Sequence, residues 1–168
     1  PIEGAGGAGT GETAPLTGFP KYKASDFIEF LKSRVGCGYT LGTYGQKCTQ
    51  ELLERRARHD TDSPTNYYLV DCARWLGYYV ADCSGLVEWF LLKQGIQQNC
   101  DTNASGMYNR WSIEKSNDMD SMPMIPGVAV FKRGASGIHH IGIYVGNDRV
   151  IEAKGAAYGI LVTQFSAD

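Results

Sequence analysis

Asp82-Cys83-Ser84-Gly85-Leu86-Val87 reads as the start of a helix: an aspartate cap, a cysteine in the first turn, then an apolar body running to about Gln94 and stopped by Gly95. Far downstream, His140-Ile141-Gly142-Ile143-Tyr144 reads as a strand. A thiol at a helix start and an imidazole on a strand are how a nucleophile and its base meet when distant elements share a cleft. Together they point to a cysteine-nucleophile enzyme, and helix with strand sets the fold class.

Around the histidine, the C-terminal part is a series of short β-prone runs: Val128–Phe131, Ile138–Val145, Arg149–Ala153 and Ile160–Thr163. Gly146-Asn147-Asp148 between two of them is a hairpin signal. Upstream of the cysteine, a first helix is expected with Ser25 or Asp26 as cap and Phe27, Phe30 and Leu31 on one face, ending before Gly36. Helices first and an antiparallel meander after them predict an α+β domain with helices packed on the sheet.

Other segments are less regular. Residues 1–20, rich in glycine, read as a flexible leader or linker remnant, leaving 21–168 as one domain. Gly36 to Gly42 is a glycine-rich loop without the Gly-Lys-Ser/Thr ending of a phosphate loop. Thr49 to Arg58 reads as a short exposed helix whose charges form a solvated face, with His59 a surface histidine. The aromatics Tyr67, Tyr68, Trp75, Tyr78 and Tyr79 suit core or lid packing better than a cleft wall. Residues 96–126 read as a long connection with one helical turn.

Composition narrows the function classes. A chain of 168 residues with 43% hydrophobic and 20% charged residues fits one globular domain. A net charge of −2 without a basic tract gives no footprint for nucleic acid, and the apolar clusters are too short for membrane insertion. Cys37, Cys48, Cys72, Cys83 and Cys100 include no CxxC pair, so a structural metal is not expected; no cofactor is expected either. A disulfide among the other four stays open, and Cys83 is the thiol that must stay reduced. A monomer is expected.

Adjacent histidines on a strand point to opposite faces. His139 shares its face with Ile141 and Ile143, the core side; His140 shares the less hydrophobic side with Gly142 and Tyr144, and is the better base. On the following strand, Glu152 alternates against Ile151 and Ala153 and is placed to orient the far nitrogen of His140. The helix N-terminus around Cys83 is expected to favour thiolate.

These residues carry a resemblance. Asp82-Cys83-Ser84-Gly85-Leu86-Val87 with His140-Ile-Gly-Ile-Tyr-Val-Gly resembles the NlpC-type family of bacterial cell-wall cysteine peptidases, which have a compact papain-like fold. Gly38-Tyr39-Thr40-Leu41-Gly42 resembles the family's tyrosine motif, and the matching region runs from about residue 26 to 165. The resemblance implies hydrolysis of peptidoglycan stem peptides between γ-linked D-glutamate and a diamino acid, outside the cell or at its wall. It implies catalysis by Cys83, His140 and Glu152, with Tyr39 at the oxyanion and Asp82 and Ser84 contacting the peptide. Three features depart from the pattern: Glu152 where histidine, asparagine or glutamine is commoner, Val128 in place of an aspartate, and an insertion over residues 43–81. Such an insertion resembles phage-borne versions. The same constellation can serve an amidase cutting between the lactyl group and L-alanine, another acyl transferase, or an inert wall-binding module that kept the fold.

Overall fold

Four antiparallel strands pair in chain order at the C-terminal end of the computed structural model, which describes residues 23–63, 66–96 and 102–165: β3 (Ala129–Gly134), β4 (Gly137–Gly146), β5 (Arg149–Gly155) and β6 (Gly159–Gln164). Asn147 and Asp148 both sit at φ 52, and Gly146 faces Arg149 across the turn, as a two-residue hairpin with the native strand twist requires. Ile141 and Ile143 of β4, Ile151 and Ala153 of β5 and Ile160 of β6 enter one buried cluster.

Alternation along β4 breaks at one point. Lys132 pairs with His140 but Arg133 pairs with Ile138, so His139 is the extra residue of a bulge. His139 is therefore exposed rather than on the core side as its spacing from Ile141 predicts, and Ile138 packs on the core instead.

Helix α1 (Ala24–Arg34) and helix α3 (Cys83–Lys93) cover this sheet. α1 starts earlier than its sequence suggests: Lys23 is the cap, and Asp26 reaches back to accept the Lys23 N–H at 2.9 Å. Phe27 and Phe30 pack with tilted rings on Phe90 of α3, with centroids 4.8 and 5.5 Å apart. The apolar body of α3 buries Leu86, Trp89 and Phe90, and Gly95 at φ 67 follows its end.

The insertion is closed at its base by a ribbon absent from the sequence reading: β1 (Tyr44–Lys47) pairs antiparallel with β2 (Tyr79–Ala81). Between them lies α2 (Gln50–His59), whose cap Thr49 accepts the Leu52 N–H at 3.1 Å. A π-helical turn (Tyr67–Asp71) and a 3-10 turn (Cys72–Trp75) follow. α2 is half-buried rather than exposed, because Leu52 and Leu53 join Tyr68, Cys72 and Val80 in a second small core. Tyr68 is core, Tyr78 and Tyr79 face solvent, and Trp75 donates from Nε1 to the Ala156 carbonyl at 2.7 Å. Trp75 thereby ties the insertion to the β5–β6 turn.

In the connection to the sheet, α4 (Ala104–Gly106) runs on as π-helical Met107–Trp111, more than the single turn expected, since Ala104 and Met107 reach the main core. Cys37, Cys48, Cys72 and Cys83 are free thiols. Cys100 and the leader 1–20 lie outside the described residues. Among the described residues no helix is long and apolar enough to cross a membrane, and no cluster of three metal-binding side chains occurs.

Candidate active site

Asp82 begins the site. Its Oδ1 accepts the Gly85 N–H at 2.7 Å and the Ser84 hydroxyl at 3.1 Å, and its Oδ2 accepts the Gly42 N–H at 2.7 Å. The carboxylate that caps α3 therefore also pins the glycine-rich loop 36–42 beside Cys83. Burial pushes its carboxyl up, against the pull of those donors and of the Arg56 guanidinium. Ser84 is buried, and its hydroxyl is engaged by Asp82.

The Cys83 sulfur, half-buried, lies near the backbone N–H groups of Ile141, Ser84 and Cys83 itself, which favour its charged form. Burial and then the neighbouring Asp82 charge raise the thiol to about 11, and the three donors only partly oppose this. The expected preference for thiolate is thus reversed: desolvation and a carboxylate outweigh the helix terminus, and the resting group is a thiol. Tyr39 stands close enough for the Cys83 and Asp82 charges to act on it, and burial, the larger cause, pushes its phenol well above the ordinary tyrosine range. It is a permanent O–H donor at neutral pH.

On β4, His140 Nε2 and Glu152 Oε2 of β5 are 2.5 Å apart. Thr163 of β6 donates to the other oxygen, Oε1, at 2.7 Å. The His140 bond is the main reason the Glu152 carboxyl is held down to about 2, with the charge of Lys132, the cross-strand partner of His140, adding to it. An ionised Glu152 assigns the proton to Nε2 and leaves the Nδ1 lone pair free. A cavity of about 470 Å³ opens on this face of the sheet, lined by Lys132, His140, Gly142, Glu152, Lys154 and Thr163 among others.

The structure therefore joins Cys83, Asp82, Ser84 and Tyr39 in one group and His140 with Glu152 in another. Ile141, directly after His140, brings the two groups near each other, since its amide acts on the Cys83 sulfur. Among the described residues no hydrogen bond joins Cys83 to His140 itself. Arg56, Lys132 and Thr163 were absent from the sequence reading of the site. Thr163 is the residue that strand alternation could have supplied; Arg56 is signalled by nothing in its charged helix.

Two expected outcomes test this geometry. A side chain at Gly142 would bring its Cβ to 2.5 Å from Val150 Cγ1 and 3.3 Å from Glu152 Cβ. Gly142→Ala should destabilise the protein by about 1–3 kcal/mol in denaturant unfolding, whereas unchanged stability would refute the close approach. Glu152, depressed in the folded state, contributes stability that is full above the ordinary carboxylate range and lost as pH falls towards about 2. The melting-temperature advantage of the wild type over Glu152→Gln should shrink between about pH 5 and pH 2. A constant difference across that window contradicts the assignment.

The NlpC/P60 family model matches residues 66–167, a span that includes Cys83, His140 and Glu152. A search of curated proteins returned no match. Among solved structures the chain is similar to NlpC1 from Trichomonas vaginalis, at 20% identity and TM-score 0.52, covering 84% of this chain and 39% of that one. It is also similar to NlpC2 from the same organism, at 19% identity and TM-score 0.53, covering 86% and 43%. The peptidoglycan hydrolase RipB from Mycobacterium tuberculosis aligns at 21% identity and TM-score 0.49, over 87% of this chain and 62% of that one. The chain thus spans about two fifths of the length of each Trichomonas protein. With helices on an antiparallel sheet in the papain-like arrangement, and the family model covering more than half its length, this chain belongs to the NlpC/P60 family.

Proposed function

We propose that the chain is a cell-wall hydrolase: a cysteine endopeptidase that cleaves peptidoglycan stem peptides between γ-D-glutamate and the diamino acid, working outside the cell or at its wall. The observation that carries this reading is the thiol at the capped start of α3, near the amide that follows a histidine bonded to a carboxylate.

The chemistry follows from the groups present. His140 Nδ1 removes the Cys83 proton as the sulfur attacks the scissile carbonyl. The oxyanion takes N–H donors near Cys83 and the Tyr39 hydroxyl, which stays neutral and can donate. Collapse breaks the C–N bond, with His140 returning its proton to the leaving amine, and leaves a thioester. Water, deprotonated by His140, then releases the γ-D-glutamyl acid and restores the thiol. Glu152 steadies the imidazolium in both halves and fixes its tautomer.

Digesting a defined stem peptide and reading the products by mass spectrometry tests the proposal. Free L-Ala-γ-D-Glu dipeptide is the expected product. Release of intact stem peptides from muropeptides would instead identify an amidase, and no cleavage by a folded protein would leave a binding module.

A further inference from the structure

The insertion brings one charged side chain back to the site. Arg56, on α2, lies against Gly42, so closely that a Cβ at Gly42 would be 2.2 Å from the guanidinium carbon and 1.8 Å from one Nη. Gly42 is the residue whose N–H binds Asp82 Oδ2 at 2.7 Å. The Arg56 charge also acts on the buried Tyr68, whose hydroxyl donates to Asp60 at 2.5 Å, while Arg56 Nε is buried without a partner. A half-buried cation thus lies against loop 36–42, near enough to the carboxylate that caps the Cys83 helix for its charge to act on it.

We propose that Arg56 is a positioning residue: the insertion exists, in part, to place its guanidinium where it keeps Asp82 ionised, and so keeps the tyrosine loop and the start of α3 locked together. Asp82 is faced from the loop by the Gly42 N–H and the Tyr39 phenol, and from α3 by the Gly85 N–H, the Ser84 hydroxyl and the Cys83 thiol. From the insertion it is faced by the Tyr67 phenol and Arg56. Of these groups only Arg56 is a cation. An aspartate buried among neutral donors tends to protonate, and a proton on Oδ2 turns the acceptor of the Gly42 N–H into a donor that no longer binds it well.

The idea deepens the proposed peptidase reading for its activity readout, but the titration of Asp82 does not depend on that reading. The test compares the wild type with Arg56→Met and Arg56→Lys. Carbon-13 NMR of the aspartate carboxyls should show Asp82 titrating about one pH unit higher in Arg56→Met and near its wild-type position in Arg56→Lys. Stem-peptide hydrolysis at pH 6 should fall about tenfold in kcat for Arg56→Met, with KM little changed and the lysine variant largely rescued. Should Arg56→Met not fold, Arg56→Gln carries the same comparison. An unmoved Asp82 titration in a folded variant overturns the proposal, and so does a lysine variant as impaired as the methionine one. Loss of hydrolysis in every protein, wild type included, would instead count against the peptidase reading alone.

Discussion

Cys83→Ala is expected to reduce stem-peptide cleavage by about 10⁴-fold or more, to the background of the assay, with the fold retained. The substitution removes the sulfur without disturbing Asp82, whose bonds go to Gly42, Ser84 and Gly85. The cap of α3 and its apolar contacts survive, so circular dichroism and the melting temperature should stay close to those of the wild type. Cleavage by the alanine variant within tenfold of the wild type would mean that another group attacks the carbonyl. Ser84 is poorly placed to substitute, since it is buried and donates to Asp82.

The second large effect concerns His140. A thiol raised to about 11 is only about one part in 10⁴ ionised at pH 7 without help, because each unit is a factor of ten. The base must therefore take the proton as the bond forms. His140→Gln should lower kcat/KM at pH 7 by about 10³–10⁴-fold. Its residual rate should then climb about tenfold per unit of pH from 7 to 10, tracking the free thiolate. The wild type, with its proton acceptor in place, should lack that slope near neutrality. A histidine variant with a flat profile would show that Cys83 is ionised in the resting protein, and the thiol form assigned to it would be wrong. Glu152→Gln should be milder, about 10–100-fold, because the amide can still hold the ring but no longer stabilises its charge.

Much of this site is written in local chemistry. Asp82 is a cap because a short acceptor ahead of an apolar run has one good use there, and its bond to Gly85 is that use. The Asn147-Asp148 turn is legible for the same reason, since few residues tolerate two positive φ values in succession. Period-two alternation places His140 and Glu152 on one face, and the pair is bonded there. The same alternation misplaces His139, because a bulge costs one residue of register and is decided by the partner strand. The β1–β2 ribbon escaped for a related reason: its strands are four and three residues long and gain their pairing from each other across the whole insertion. Burial of the Cys83 thiol is a tertiary quantity, so the helix terminus alone predicted the wrong direction for its ionisation. Arg56 belongs to the same class, an ordinary surface-helix arginine by sequence that packing turns inward.

A γ-D-glutamyl chloromethyl ketone built on the L-Ala-γ-D-Glu dipeptide places an electrophile where the scissile carbonyl would sit. Incubated with the wild type and followed by intact mass and peptide mapping, it should attach once per chain, at Cys83, with hydrolysis lost in proportion. Attachment at another cysteine, or full hydrolysis after Cys83 has been alkylated, would contradict the assignment of the attacking atom.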